Sequence, residues 1–173
     1  MSTQHRLDQL VRQRLQLALE AMERGFCADI AKRISLREIS VQGVELDGQD
    51  DTRPTRSATA TVVCELDVDE SMCNIAGNCH GGCIAWIVDH CSSLALLALS
   101  GNGRWTTSGV STNLNISYIA AAPLGTPLRI ATTVLQFGRV TGLLETRIED
   151  RETGKLLSFG THTKQDPQPK ARL

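Results

Sequence analysis

The spacing of hydrophobic and polar residues changes period along the chain, and each change marks an element. Leu7, Leu10, Val11, Leu15, Ala18, Leu19 and Met22 recur at helical spacing within residues 1–33. This predicts an amphipathic helical extension with Gly25 as a stop. Ile34 to Leu46 reads as a first strand, and the polar stretch Gly48 to Thr55, with Pro54, as a loop. Ser57 to Val68 reads as a second strand, with Ala58, Ala60, Val62 and Cys64 opposite Thr59, Thr61 and Val63. From Cys83 to Leu99 the alternation ends, and only Asp89, His90, Ser92 and Ser93 are polar. A segment apolar on nearly every face is a buried helix. It is too short and too interrupted for a membrane span. Ser108 to Ile119 alternates again, with Val110, Thr112, Leu114, Ile116 and Tyr118 on one face and Ser111, Asn113, Asn115 and Ser117 on the other. Pro123 and Gly125 mark a turn. Leu128–Phe137 and Val140–Glu149 read as strands around a tight reversal at Gly138-Arg139. Thr153-Gly154 turns the chain into a last strand, Lys155–Thr163, and the tail from Gln165 to Leu173 has the composition of a disordered segment.

The order is helix, two strands, a long apolar helix, then four strands in succession. That predicts an α+β layer structure, an antiparallel sheet on one central helix. The sheet edges and outer face would invite a partner subunit. At 173 residues the chain suits one domain, and it shows no internal repeat.

Composition narrows the function. A net charge of -1, 3% aromatic residues and a single Tyr give neither a basic footprint nor a stacking platform for nucleic acid. Arg6, Arg12 and Arg14 are interspersed with Asp8, Glu20 and Glu23, which suits a docking helix better than a transit peptide. The six Cys lie mostly in apolar surroundings and read as free thiols of a reducing compartment, the cytoplasm or a mitochondrion. Cys73, Cys79, His80, Cys83, His90 and Cys91 crowd together, but Cys79 and Cys83 have no second matching pair, so no metal site is expected.

Two features carry candidate chemistry. A carboxylate near the middle of an apolar helix is costly unless it is paired or functional, which singles out Asp89. The helix start follows His80-Gly81-Gly82. The first amides of a helix have no intrahelical partner, and no side chain shields them at Gly81 and Gly82. Such an end suits an anion or a developing oxyanion. The same glycines would equally serve a sharp turn or a close backbone approach.

Asn74, then Gly77-Asn78-Cys79-His80-Gly81-Gly82, then Asp89, form an ordered set. It continues through Gly109-Val110-Ser111, Asn115-Ile116-Ser117-Tyr118, Gly125, Thr153-Gly154-Lys155 and Gly160-Thr161-His162-Thr163-Lys164. With this set the chain resembles the hot-dog-fold thioesterases, in the phenylacetyl-CoA and 4-hydroxybenzoyl-CoA thioesterase group, above all the small eukaryotic acyl-CoA thioesterases. The resemblance runs from about Ser57 to Lys164 and implies a hot-dog domain over 34–164. It implies acyl-CoA hydrolysis without metal or cofactor, coenzyme A being part of the substrate. In that reading the Gly81 amide and Asn74 hold the carbonyl oxygen, and His80 orients the loop. Asp89 is general base or nucleophile, and Ser111 holds the water or the carboxylate. Gly82, Asn113, Tyr118, Gly138, Arg139 and Lys164 match positions where relatives hold substrate or coenzyme A, and Arg139 and Lys164 would suit phosphates. His90, Asn113 and the long N-terminal helix depart from the family pattern and bear on substrate preference rather than reaction type. A non-catalytic acyl-CoA binder is the alternative, but it would be expected to lose Asn74 or Asp89. A dehydratase motif is absent, and GVSTN around Ser111 is not the G-x-S-x-G of a serine hydrolase.

Asp89 stands eight residues beyond Gly81, about 12 Å along a helix. One helix cannot easily present both groups to one thioester. A homodimer with sites shared between antiparallel helices is therefore expected, and relatives imply pairing of dimers into tetramers.

Overall fold

Each alternating stretch forms a strand of one sheet: β1 (Ser35–Asp47), β2 (Asp51–Asp67), β3 (Val110–Tyr118), β4 (Pro127–Phe137), β5 (Thr141–Asp150) and β6 (Leu156–Gln165). The helices are α1 (Thr3–Met22), α2 (Ala28–Ala31) and α3 (Gly81–Ala98), with a 3-10 turn at Glu70–Met72. The computed structural model describes residues 3–48, 51–101 and 105–167. The sheet is antiparallel throughout, in the order β1-β2-β4-β5-β6-β3. β4, β5 and β6 are hairpin neighbours, whereas β3 lies outside β6 at the far edge. The chain must therefore cross the sheet between β2 and β3, and α3 is that crossing. This is the hot-dog arrangement.

Two boundaries differ from the alternation-based reading. Asp51 to Thr55 is strand rather than loop, with Pro54 opposite Val44. The proline sits beside a register shift between Gln42 and Val44, where a ladder can spare an N–H. At the other end, β6 runs to Gln165. Asp166 is buried, its carboxylate accepting the Trp105 N–H at 3.0 Å and its N–H donating to Val140 O at 2.9 Å. The tail expectation for 168–173 falls outside the described residues.

The core lies between α3 and the inner face of the sheet. Ile84, Ile87, Val88, Cys91, Leu94 and Leu96 meet Val62, Cys64, Leu128, Ile130, Leu144 and Ile148, all buried. Each such aliphatic side chain stabilises the fold by roughly 1.5–3 kcal/mol. By length and composition α3 could cross a membrane, but here it is the core helix. Its least covered stripe carries Gly82, Trp86 and Asp89. A carboxylate sunk in a core was expected; the Asp89 side chain is 45% exposed.

α1 packs beside α3 through Leu7, Val11, Leu15 and Leu19. Arg14 fastens it there. The guanidinium donates to Ser100 O just past α3, donates to Thr52 Oγ1 at 3.1 Å and pairs with Asp51 at 3.4 Å. A cation at a helix C-terminus also complements its dipole.

α3 comes close to the sheet at Gly160. A Cβ there would lie 2.8 Å from Val88 Cγ1 and 2.9 Å from Ile116 Cδ1. Gly160→Ala should therefore destabilise the protein by about 1–3 kcal/mol through overpacking. Urea unfolding measures this, and an unchanged midpoint would mean α3 lifts without cost.

Two imidazoles are buried, His90 against the Trp86 ring at 4.6 Å and His162 on β6. Burial pushes the pKa of each down to about 4, aided at His162 by the Lys164 ammonium and opposed at both by Asp89. Unfolded histidines titrate near 6.5, so as pH falls the unfolded chain binds protons first. The stability due to these rings is full above about pH 6.5 and is lost towards pH 4, by roughly 3 kcal/mol per ring. Urea midpoints should drop stepwise from about pH 7 to 5.5 to 4.5; flat midpoints would show that the folded rings protonate freely.

Candidate active site

The candidate residues form two clusters about 12 Å apart along α3. The first surrounds the start of α3. His80 is its N-cap, and His80 Nδ1 accepts the Gly82 N–H at 2.9 Å. The Cys83 and Ile84 amides both donate to His80 O, at 2.8 and 3.0 Å. Of the four amides that open the helix, the Gly81 N–H is left to offer. A side chain at Gly81 would press on the Tyr118 ring at 3.4 Å, and the Tyr118 hydroxyl donates to Gly81 O at 2.9 Å. Asn74 is held by its own loop, where Gly77 takes a positive φ of 74°. Asn74 Oδ1 accepts the amides of Ala76 and Asn78 at 2.9 and 3.3 Å, which leaves Nδ2 as its free donor. Asn74, Gly81 and Tyr118 line one open cleft of about 440 Å³, floored by Ile84, Ala122 and Leu157. Asp89 does not line it.

The second cluster is built on Asp89. Ser111 Oγ donates to Asp89 Oδ1 at 3.2 Å. Lys164 Nζ lies 3.9 Å from the same oxygen, donates to Ser93 Oγ at 2.9 Å and reaches Ser111 Oγ at 3.5 Å. His162 Nε2 faces Oδ1 at 3.6 Å, too long for a hydrogen bond. Its other nitrogen meets Ser92 Oγ at 2.6 Å. Ser92 Oγ also donates to Asp89 O at 3.0 Å, as Ser93 Oγ does at 2.8 Å. Burial lowers the Lys164 pKa, and Asp89 opposes that shift.

A β-bulge brings Ser111 to Asp89. Simple alternation places Ser111 with Asn113, Asn115 and Ser117, away from Leu114 and Ile116. In the ladder Ser111 pairs with Lys164 and Asn113 with Thr163, so Thr112 is an extra residue. The Thr112 hydroxyl donates to Thr163 O at 3.1 Å. The extra residue flips the strand, so Ser111 joins Leu114, Ile116 and Tyr118 on the helix-facing side. Asn113 stays on the outer face, its Oδ1 accepting from Asn115 Nδ2.

The remaining candidates sit apart. Gly138 holds the β4–β5 turn, its N–H donating to Thr141 O and its carbonyl accepting the Trp105 indole N–H at 3.0 Å. Arg139 is exposed on that turn, at the end of the sheet where Gly142 pairs with Lys164. Lys164, expected to grip phosphate, is only 3% exposed and turned inward on the Asp89 cluster. Its inward-facing position on β6 puts it under α3. His162, Ser92 and Ser93 escaped sequence reading as site residues. The signal was there: His162 and Lys164 are two apart on a strand, hence on one face, and Ser92 and Ser93 are three and four from Asp89 on the helix. Among the described residues no group of three or more His, Cys, Asp or Glu is placed to hold a metal.

The family model for the thioesterase superfamily matches residues 76–157, from the glycine-bearing loop through α3, β3, β4 and β5. Acyl-coenzyme A thioesterase 13 from Homo sapiens is 36% identical over 108 residues, 62% of this chain and 74% of that protein. Two crystal structures share the fold over most of both chains. Zebrafish thioesterase superfamily member 2 has a TM-score of 0.69 at 26% identity, over 87% of this chain and 94% of that one. The Mus musculus protein of that name has a TM-score of 0.66 at 27% identity, over 88% and 95%. Relatives and fold agree with the loop, helix and sheet that carry the two clusters, and the chain belongs to the thioesterase superfamily.

Proposed function

We propose that this chain hydrolyses acyl-CoA thioesters to the free acid and coenzyme A. The observation that carries the reading is the Asp89–Ser111 contact made by the bulge, about 12 Å along α3 from an amide-lined cleft. In this reading the thioester carbonyl oxygen sits against the Gly81 N–H and Asn74 Nδ2, which hold the oxyanion as it forms. Water attacks the carbonyl carbon. Asp89 Oδ1 is engaged by Ser111 and approached by Lys164 and His162, so Oδ2 takes the proton from that water. The C–S bond then breaks, and the proton passes to the departing thiolate. Lys164 and the neutral His162 position Asp89 and do not touch substrate.

The two halves belong to different protomers. Gly81 and Asp89 are about 12 Å apart along one helix, and Asp89 is off the cleft. β3 is an unpaired edge with Val110, Leu114 and Tyr118 exposed, next to the open stripe of α3. A second copy paired on that edge would set its Asp89 over the first copy's Gly81, and symmetry would create a second equal site. Arg139, exposed at the sheet end, remains the residue suited to a coenzyme A phosphate.

Free thiol released from a panel of acyl-CoAs tests the activity itself. Asp89→Asn should cut turnover by roughly 10²–10⁴ with the fold intact by circular dichroism. Turnover within a few-fold of the parent would remove Asp89 from the mechanism.

Complementation tests the sharing. Asp89→Ala and Asn74→Ala homodimers should both be nearly inactive. A mixed dimer regains one intact site and keeps one doubly damaged site. Random mixing makes about half the dimers mixed, so about a quarter of parental activity should return. No recovery, with mixed dimers verified by native mass spectrometry, would rule the shared site out.

A further inference from the structure

Two adjacent glycines leave a chain more conformational freedom than other residue pairs. Gly81 and Gly82 are such a pair, at the point where one N–H must hold its aim. Part of the restraint is local. The His80 N–H donates to Met72 O at 2.7 Å, and His80 O accepts the Cys83 and Ile84 amides. These bonds hold the peptide unit that carries the Gly81 N–H. The next peptide unit joins Gly81 O to the Gly82 N–H. His80 Nδ1 takes its hydrogen at 2.9 Å, and the Tyr118 hydroxyl donates to its oxygen at 2.9 Å. The two side chains therefore grip opposite edges of one planar group. Bonds at both edges of a peptide also polarise one another.

The grip of Tyr118 comes from the sheet. Tyr118 ends β3, where its ladder partner is Ser158 on β6. Ser158 Oγ donates to Ser117 O at 3.0 Å, and the Ile119 and Ala120 amides both donate to Leu157 O, at 2.9 and 3.0 Å. The backbone that carries the ring is thus fixed on both sides of Tyr118. The ring lies against Gly81, 3.4 Å from where a Cβ would stand. A rigid strand end therefore sets the position of a flexible turn.

We propose that Tyr118 is a positioning residue of the oxyanion turn, acting through the Gly81–Gly82 peptide rather than by holding coenzyme A. This rests on the reading of the Gly81 N–H as the oxyanion donor. The resemblance to relatives places a substrate or coenzyme A contact at Tyr118. Its one hydroxyl proton is committed to Gly81 O, so it cannot also be donated to a coenzyme A oxygen. Without the hydroxyl the Gly81 N–H remains, but only the local bonds aim it. Removing an oxyanion donor outright costs roughly 10²–10³ in turnover, so losing its aim should cost less, about tenfold.

Tyr118→Phe keeps the ring against Gly81 and removes the hydroxyl. In acyl-CoA hydrolysis kcat should fall about tenfold with KM unchanged, since an oxyanion donor acts on the transition state more than on the bound substrate. A second measurement reads the aim itself. An acyl-CoA bound to the Asp89→Asn protein turns over slowly enough for its thioester carbonyl stretch to be recorded by difference infrared spectroscopy. The stretch should move to lower frequency on binding, and adding Tyr118→Phe should shrink that movement. In the free protein, NMR relaxation should show the Gly81 and Gly82 amides more mobile in Tyr118→Phe than in the parent. An unchanged kcat overturns the proposal. So does a raised KM with kcat kept, which would make Tyr118 a coenzyme A contact, and so does a lower kcat with the carbonyl stretch unmoved by the substitution. A parent protein that hydrolyses no acyl-CoA would overturn the reading of the site instead, and the amide relaxation alone would then decide whether Tyr118 holds the turn.

Discussion

The closeness of α3 to β6 sets the geometry of everything around Asp89. Gly160 has no side chain, so Val88 settles onto the strand. Asp89 is the next residue on the helix, and His162 and Lys164 are the next inward-facing residues on β6. The same contact that packs an aliphatic side chain therefore fixes the height of the carboxylate above an imidazole and an ammonium. A helix held further off would keep its hydrophobic burial in part, but the 3.6 and 3.9 Å approaches to Asp89 Oδ1 would open beyond useful range.

Charge is arranged unevenly across this contact. The ammonium of Lys164 is buried, whereas the carboxylate it approaches is nearly half exposed. A buried charge without partners would be strongly destabilising. Here Ser93 and Ser111 accept from the ammonium, and Asp89 supplies the opposite sign. The protein side of the carboxylate is thereby fully occupied, and its open side faces the α3 stripe where solvent or a second chain can reach it.

Much of this was legible in the residues. Two-residue alternation marked six strands, the loss of alternation marked α3, and a lone carboxylate on an apolar helix marked Asp89. The failures share a cause: each depends on a partner that is remote in sequence. Pro54 sits in a strand because of an irregularity in β1. Asp166 is ordered because Trp105 presents an N–H to it. Lys164 looks like a surface cation until β6 is seen to lie under α3. Ser111 is the sharpest case, since nothing in GVSTN announces a bulge, and a ladder that paired Thr112 regularly would aim that hydroxyl outward.

The bulge separates two kinds of information in β3. Beyond Thr112, Leu114, Ile116 and Tyr118 keep the helix-facing side whatever happens before them, because Leu114 is registered on His162 and Ile116 on Gly160. Removing Thr112 would leave both that apolar register and the inward aim of Ser111 in place, since Ser111 would then alternate regularly with Leu114, whereas pairing Thr112 itself with Lys164 would turn the Ser111 hydroxyl away from Asp89. The strand's folding is written in residue type, but its place in the site is written in the bulge. Point substitutions along β3 can therefore drift while the sheet persists, whereas a slip that paired Thr112 with Lys164 would uncouple a folded protein from its chemistry in one step.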